Sequence, residues 1–429
     1  MNKKILALAI PSIISNISIP LVSAVDTALM GHISSSNLSA LGIGSMIFLF
    51  LYGTINFLRM GTTGITAQAY GAEDRDGITK TLYRALFVAL MLSLLMLIFQ
   101  ETILNISFYL MNVDEGYYEY TRSYFSIRIY TAPAVFMLYA LMGWFFGMQN
   151  ARYPLYITLL LNMVNIICSY YFVNVLNMGI EGAGYGTLLA QYSGLFLAFL
   201  LLLKYKKELK LFSFLELLQR NQLLRFLDVN RDILIRTIAL TFSFSFFYSQ
   251  AAKDGEETLT VMILLLQFIV WFAYTLDGFA NAGESLVGRY YGAKDWEKFD
   301  QVIKYLFIWG LGFTVLYMCF YYYFSPEILQ LYTNQQSIID ATFPFIPYVV
   351  VMPLLSFVAY IWDGIFVGMT ASKAMRNITL CSTALFLVLF YSIKSINFSY
   401  ALWISFMLFF LFRGALQTWV YFRNGRRLV

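Results

Sequence analysis

Residues 5–30 read ILALAIPSIISNISIPLVSAVDTALM, an apolar run that carries one ionisable side chain, Asp26. A membrane-spanning helix needs roughly 20 mostly apolar residues, because it rises about 1.5 Å per residue through a hydrocarbon core about 30 Å thick. Similar runs recur along the 429 residues, of which 60% are hydrophobic and only 12% are charged. The composition excludes an ordinary soluble domain and indicates an all-α polytopic membrane protein.

The apolar runs predict twelve transmembrane helices. They lie at about 5–30, 38–60, 82–104, 121–146, 153–175, 180–203, 233–250, 258–285, 302–324, 343–367, 377–394 and 398–421. Basic residues concentrate in alternate loops, including the runs at 204–210 and 423–427. Because short cytoplasmic loops retain Lys and Arg, this alternation predicts that both termini are cytoplasmic.

The chain also repeats itself. Residues 70–74 read YGAED and residues 291–295 read YGAKD, and we call the separation between Tyr70 and Tyr291 the repeat offset. The same repeat offset separates Gly147 from Gly368. Both copies begin on the same predicted side of the membrane, which is typical of parallel repeats in transporters. The pattern predicts two pseudo-symmetric six-helix bundles.

The repeat sets the expected domain boundaries. We assign residues 1–203 to an N-terminal six-helix lobe and residues 233–429 to a C-terminal six-helix lobe. Residues 204–232 mix basic side chains with Leu and Phe at near-helical spacing. This segment is therefore expected to form a cytoplasmic linker helix that lies on the membrane surface, with its basic residues near lipid head groups.

Asp26 is the most informative ionisable residue. It lies toward the far end of a span that enters from the cytoplasm, and thus in the outer half of the membrane, with no basic residue in the same predicted span. Burial without a cation disfavours the charged carboxylate, so Asp26 is expected to exchange a proton near neutral pH. A proton and a cationic substrate could then compete for this one carboxylate. The alternative is a structural role, in which Asp26 binds a helix terminus or a water at the membrane interface.

Pro11 and Pro20 are candidate kinks in the same predicted span, and a bend at either proline would move Asp26.

Two acids of the second half form a possible further polar site. Asp277 lies in the eighth predicted span, and Asp363 precedes Gly364 and Gly368 in the tenth. Either acid could line the second bundle or be held in a structural pair, and the sequence leaves both alternatives open.

Other functional classes have little support in the sequence. Cys168, Cys319 and Cys381 have no CxxC spacing, the chain has a single histidine, and it contains no GK dipeptide. These features give no indication of a disulfide framework, a metal site or a nucleotide-binding P-loop. The net charge of +5 is weak evidence for nucleic-acid binding. We expect no catalytic residues, no cofactor and no nucleic-acid partner.

Four longer strings carry a resemblance to a known family. They are LAIPSIISNISIPLVSAVDTALMGH at 8–32, GTTGITAQAYGAED at 61–74, LDGFANAGESLVGRYYGAKD at 276–295 and WDGIFVGM at 362–369. With them, nearly the whole chain resembles the multidrug and toxic compound extrusion (MATE) family, most closely its DNA-damage-inducible-F-like branch. The resemblance implies twelve helices in two lobes and the export of cationic or amphipathic compounds in exchange for protons or sodium.

The resemblance also implies roles for particular residues. Asp26 matches the coupling carboxylate of the N-terminal lobe, and Pro11 matches the proline where helix 1 is thought to bend. Asn165, Ser169 and Thr187 match the polar cluster of helices 5 and 6, but relatives carry a second Asp where this chain has Ser169. A proton-sharing network of two acids therefore cannot form here in the same way. Sodium-coupled relatives also use an acid early in helix 7, where this chain has Arg236 nearby.

These observations predict a proton-coupled antiporter of a bacterial cytoplasmic (inner) membrane that exports amphipathic or cationic small molecules. Its expected partners are the small-molecule substrate and membrane lipids, and it is expected to be monomeric. A flippase for lipids or lipid-linked oligosaccharides of the same superfold and a sodium-coupled exporter are the alternatives. An intramembrane enzyme would need facing catalytic groups for which the sequence has no motif.

Overall fold

The computed structural model of the chain describes residues 1–31, 33–210, 212, 214–217, 219–395 and 397–427. These residues form helices and connecting turns without a β-strand. The helices of the first half are α1 (Asn2–Gly31), α2 (Ser35–Ile55), α3 (Phe57–Gly71), α4 (Arg75–Ile98), α5 (Gln100–Met111), α6 (Glu115–Arg128), α7 (Ala132–Gly147), α8 (Arg152–Tyr170) and α9 (Gly179–Leu202). The remaining helices are α10 (Phe214–Leu217), α11 (Arg220–Lys253), α12 (Glu256–Gly292), α13 (Trp296–Tyr332), α14 (Gln336–Thr342), α15 (Ile346–Gly368), α16 (Ser372–Ile393) and α17 (Phe398–Asn424).

Each predicted span corresponds to helical structure. Within the described residues, eleven helical stretches are long and apolar enough to cross a membrane, and several of them join consecutive helices, as at Ser35–Gly71 and Glu115–Gly147. The helix at the seventh predicted span, α11, is not among the eleven. Charged residues crowd its first half, which lowers its apolar character, but its 34 residues exceed the length that a span needs.

The internal repeat appears in the backbone of the loops. Glu73 and Lys294, which are separated by the repeat offset, have the left-handed φ values of 57° and 55°. Gln149 and Thr370, separated by the same offset, have φ values of 64° and 57°. Non-glycine residues rarely adopt this conformation, so its recurrence at two equivalent pairs of helix ends indicates that the halves share one local fold.

The repeat also determines how helices cross within each half. A Cβ at Gly143 of α7 would overlap the backbone carbonyl oxygen of Arg59 in α3. At the equivalent position of the second copy, a Cβ at Gly364 of α15 would overlap the carbonyl oxygen of Ala280 in α12. The repeat offset separates the two glycines and also separates Arg59 from Ala280. Glycine permits these close backbone approaches, which are common between membrane helices.

The packing divides the chain into two compact units. We call Ile14–Leu227 the N-terminal unit, and Met1–Ile13 together with Asp228–Val429 the C-terminal unit. The division differs from the predicted lobes because Met1–Ile13 packs with the second half. In that unit the Lys4 ammonium donates to the Tyr290 hydroxyl at 3.0 Å, and Ile13 packs where a Cβ at Gly278 would lie.

The predicted linker of 204–232 is not a single surface helix, and parts of it lie outside the described residues. Residues 220–232 are the first turns of α11, which continues unbroken along the seventh predicted span. The linker is bound to α4 both before α11 and in the first turn of α11. The Lys210 ammonium lies 2.6 Å from the Asp76 carboxylate, and Arg84 donates to the Leu217 carbonyl at 2.9 Å and to the Gln222 amide oxygen at 2.7 Å. Before α11, the described residues of the linker form short helices and turns rather than one amphipathic helix.

Candidate functional site

Asp26 lies on the last turns of α1 and is buried, with 8% of its surface exposed. Its Oδ1 atom has no hydrogen-bond partner among the described residues. Most buried polar atoms in proteins are hydrogen-bonded, so an unpartnered buried carboxylate oxygen is a candidate binding atom. The structure therefore places Asp26 in the kind of buried environment that the sequence indicated.

Asn165 and Ser169 lie one turn apart on α8, both buried, and Thr187 faces them from α9. The Asn165 amide donates to the Thr187 hydroxyl at 3.1 Å, and the Ser169 hydroxyl lies beside the Asp26 carboxylate. Oδ1 of Asn165 and Oγ of Ser169 also have no hydrogen-bond partner in the described part of the chain. The four predicted polar residues of this unit thus form one buried cluster.

A glycine allows the two helices of the cluster to approach. A Cβ at Gly186 of α9 would lie 2.5 Å from the Ser169 hydroxyl and 2.7 Å from the Ser169 backbone nitrogen. Both distances are shorter than van der Waals contact, so any larger residue at Gly186 would separate α8 from α9. The polar cluster depends on this close packing.

Arg128 is a charged neighbour of Asp26 that sequence reasoning missed. Its guanidinium lies within electrostatic range of the Asp26 carboxylate. It donates to the Tyr124 hydroxyl and lies 5.3 Å from the ring centroid of Phe48. The expectation that Asp26 is buried without a cation is therefore wrong. A signal was present, because Arg128 lies near the outer end of the fourth predicted span, at the depth expected for Asp26.

The aromatic residues around Arg128 restrict its position. The Tyr52 hydroxyl donates to the Arg128 carbonyl oxygen at 3.1 Å and lies 2.7 Å from the Thr131 hydroxyl. The guanidinium itself makes a cation–π contact and a hydrogen bond with Tyr124. A fixed guanidinium facing a carboxylate with a free oxygen can compete with a cationic ligand for that carboxylate.

Pro11 lies within α1, which runs as one helix through both of its prolines. The proline has no N–H to donate to the carbonyl of the preceding turn, so the helix is weakened there. Shortly after Pro11, between Ile13 and Ile14, α1 passes from the C-terminal to the N-terminal unit. On the N-terminal side, the Ser15 hydroxyl donates to Thr158 of α8 at 2.8 Å.

Asp363 is held in a buried ion-pair cluster of the C-terminal unit. Its Oδ2 accepts from Arg236 of α11 and from Arg413 of α17, and its Oδ1 accepts from the Gln417 amide at 2.7 Å. Asp277 and Asp363 both act electrostatically on the buried Tyr360. Of the two alternatives for Asp363, the structure shows the paired one.

Arg413 and Gln417 were also missed by sequence reasoning. They are one helical turn apart and therefore lie on one face of α17. An arginine inside the predicted span 398–421 is the signal that would have identified them, because a charge inside a membrane helix requires a partner. Among the described residues, no group of three or more His, Cys, Asp or Glu side chains is placed to hold a metal ion.

Comparisons with known proteins agree with this architecture. The MatE family model matches residues 11–171 and 233–392, the two halves of the repeat. The chain is 31% identical to DNA damage-inducible protein F of Escherichia coli K12, over 99% of this chain and 93% of that protein. It is 27% identical to the probable multidrug resistance protein NorM of Photorhabdus laumondii, over 79% of this chain and 75% of that protein.

Solved structures show the same fold. An outward-facing multidrug resistance MATE family transporter has a TM-score of 0.90 at 20% identity, and the match covers 98% of this chain and 95% of that one. A MOP superfamily transporter from Pyrococcus furiosus has a TM-score of 0.88 with the same coverage and identity. The predicted fold class of an all-α membrane protein with twelve spans in two bundles is confirmed. The chain therefore belongs to the MatE family of multidrug and toxic compound extrusion proteins, and it is a multi-pass membrane transporter rather than an enzyme.

Proposed function

We propose that this transporter is a proton-coupled antiporter that exports cationic or amphipathic small molecules. The proposal rests on one observation, the buried Asp26 carboxylate with a free oxygen beside the Ser169 hydroxyl and the Arg128 guanidinium. We further propose that it works as a monomer in a bacterial cytoplasmic membrane, surrounded by lipids and with both termini in the cytoplasm. The basic loops support that orientation.

Exchange follows from competition for one carboxylate. When Asp26 is ionised, its free oxygen attracts a cationic substrate, with the Asn165 and Thr187 side chains supplying polar contacts. When a proton binds, the carboxyl becomes neutral while the Arg128 charge remains. A cation then faces net repulsion and is released. Because Ser169 replaces a second acid, one proton per cycle is the expected stoichiometry.

A single proton provides sufficient driving force. Moving one charge through 100 mV releases roughly 2.3 kcal/mol, so a potential of about 150 mV supplies about 3.5 kcal/mol. That free energy supports a substrate gradient of roughly 300-fold. Export to useful concentrations therefore requires no second coupling ion.

Bending of α1 would connect the proton to the conformational change. Asp26 lies on the part of α1 that packs with the N-terminal unit, and Pro11 lies just before the helix passes between units. Loss of charge at Asp26 removes its attraction to Arg128, which frees the outer end of the helix. Pro11 supplies the point at which the helix bends most easily.

Two alternatives give different experimental outcomes. Sodium coupling has less support, because Arg236 is bonded to Asp363 near the position where sodium-coupled relatives carry an acid. A lipid flippase gains support from three arginines inside the helix bundles, Arg128, Arg236 and Arg413, since phosphate head groups require cations. Proteoliposomes given a pH step should show efflux of a lipophilic cation under our proposal, whereas a flippase would scramble labelled lipids without needing the pH step.

Replacing Asp26 tests the proposal directly. Asp26→Asn preserves the shape of the side chain but removes its proton exchange, so proton-driven efflux of tetraphenylphosphonium in proteoliposomes should be lost. Asp340→Asn is the matched control, because Asp340 is exposed and its hydrogen bond to Gln336 survives the change. Unchanged pH-driven efflux by a folded Asp26→Asn protein would refute the assigned role.

A further inference from the structure

A cavity opens at the end of the C-terminal unit where α12 begins. Its volume is about 150 Å³, and it is lined by the first two turns of α12, by α14 and the turn that follows it, and by the start of α17. All of these elements belong to the C-terminal unit. A cavity of this size holds a ring as large as benzene. Under the proposed topology, this end of the unit faces the outside of the cell.

The floor of the cavity is apolar. Val261 and Met262 of α12 and Phe345, which follows α14, line it, and all three are buried. The Phe345 ring stacks on the ring of Tyr400 in α17, with 5.0 Å between the two centroids, and this contact fixes its orientation. Aromatic and methionine side chains form apolar surfaces that adapt to small organic ligands. The floor therefore fits the hydrocarbon part of a ligand.

The polar side chains at the rim of the cavity accept hydrogen bonds. Glu257 contributes an exposed carboxylate, and none of the salt bridges in the described part of the chain involves it. The hydroxyls of Thr258 and Ser399 both donate to Oδ2 of Asp254, at 3.1 Å and 2.8 Å. Because their hydrogens are used in these bonds, the two hydroxyl oxygens face a ligand as acceptors. The rim therefore fits a group that donates hydrogen bonds, such as an ammonium.

The same end of the C-terminal unit is negatively charged. Its loops and helix ends carry five acids and two bases, which gives a net charge of −3. The acids are Asp254, Glu256, Glu257, Glu327 and Asp340, and the bases are Lys253 and Lys394. The N-termini of α12 and α17 also lie at the rim, but the dipoles of two helices amount to roughly one positive charge. The net field at the cavity therefore attracts cations.

We propose that this cavity binds a monovalent organic cation that carries an ammonium group on a small ring. The ring lies on the apolar floor against Phe345 and Met262, and the ammonium donates to the Glu257 carboxylate and to the hydroxyl oxygens of the rim. A bare metal ion does not fit, because the floor supplies no oxygen ligands. The cavity is thus a second cation site, and its assignment does not depend on proton exchange at Asp26.

Binding can be measured by calorimetric titration of the purified full-length protein with benzylammonium chloride at pH 7. The titration uses the Asp26→Asn protein, because native Asp26 also binds cations under the proposed function. Benzyl alcohol is the neutral control of nearly the same shape. We expect saturable binding of benzylammonium and at least fivefold weaker binding of benzyl alcohol, which lacks the charge. Equal affinities for the two compounds, or no binding of benzylammonium by the folded protein, would overturn the proposal.

Substitutions separate a local site from a general attraction of cations. Glu257→Gln should weaken benzylammonium binding about fivefold or more, because it removes the charge in contact with the ammonium. Glu327→Gln is the matched control, since Glu327 is an exposed acid of the same end that does not line the cavity. Solvent and salt screen this more distant charge, so its loss should change the affinity less than about twofold. Equal effects of the two substitutions would contradict the site.

A third variant tests the cavity without changing any charge. Ala341 lines the cavity, so Ala341→Leu reduces its volume and should weaken benzylammonium binding about tenfold or more. Unchanged binding by Ala341→Leu would overturn the proposal. If Asp26→Asn does not fold, the same three variants are compared in the native background, where they alter only the cavity site.

The cavity and the proposed antiport are tested separately. Binding of benzylammonium by the native protein but not by folded Asp26→Asn would place the ligand at Asp26, which overturns the cavity site and leaves the proposed function intact. Unchanged proton-driven efflux by Asp26→Asn would refute the coupling role of Asp26 and leave binding in the cavity intact.

Discussion

Replacing Gly186 with alanine tests whether the close contact of α8 and α9 builds the polar cluster. The added Cβ would lie 2.5 Å from the Ser169 hydroxyl, 2.7 Å from its nitrogen and 2.9 Å from its Cα. Two of these atoms belong to the backbone, so the helices must separate by about 0.5–1 Å to restore ordinary contact. The Asn165–Thr187 hydrogen bond of 3.1 Å would then exceed hydrogen-bonding distance.

Two opposing free-energy terms set the expected stability of Gly186→Ala. Overpacking costs about 1–3 kcal/mol, whereas alanine favours a helix over glycine by about 1 kcal/mol. Gly312→Ala is the matched control, because nothing lies within 4 Å of a Cβ at Gly312 and only the helix term applies. The free energy of unfolding of Gly186→Ala should therefore be about 1–3 kcal/mol lower than that of Gly312→Ala.

Efflux should change with the packing. Loss of one buried hydrogen bond is worth about 0.5–1.5 kcal/mol, so the rate of proton-driven cation efflux by Gly186→Ala should fall roughly 2- to 10-fold. The assays are denaturant unfolding of the purified protein and tetraphenylphosphonium efflux from proteoliposomes. If Gly186→Ala matches Gly312→Ala in stability and the native protein in efflux, the argument from helix contact is refuted.

Two further predictions concern Arg128 and the repeated glycines. Arg128→Gln removes the cation that competes for Asp26, so tetraphenylphosphonium should bind several-fold more tightly, as measured by equilibrium dialysis; unchanged or weaker binding would contradict the competition. Gly143→Ala and Gly364→Ala each introduce the same overlap with a backbone carbonyl. Both variants should therefore have a free energy of unfolding about 1–3 kcal/mol lower than that of Gly312→Ala. A loss of stability in only one of the two variants would contradict the symmetric packing.

Sequence reasoning predicted which residues form the buried polar cluster around Asp26, but it did not predict the charges that surround that cluster. Asp26 was conspicuous as a lone acid in an apolar run, and its match to a family motif led to Asn165, Ser169 and Thr187 on other helices. Arg128 was missed as a partner because it lies in a different predicted span, far from Asp26 in the chain. The periodicity of apolar residues describes one helix at a time. The proximity of Asp26 and Arg128 instead depends on two helices that run in opposite directions and bring these residues to the same depth in the membrane.

The C-terminal cluster shows the same limit. Asp363 was found as an acid inside a span, but nothing in its own helix decides whether it is free or paired. The structure pairs it with Arg236, which lies far earlier in the chain on α11, and with Arg413 on the last membrane helix. Only the packing of α11, α15 and α17 together determines that one carboxylate serves two cations.

The number and order of membrane helices, the internal repeat and the membrane class follow from the sequence alone, because hydrocarbon requires long apolar helices and each helix satisfies its own backbone hydrogen bonds. Tertiary structure decided the partners of the buried charges and the packing of residues 1–13 with the second half. It also decided that the described residues of the linker do not form one continuous helix. Those features depend on contacts between residues distant in sequence, which local hydropathy and spacing do not specify.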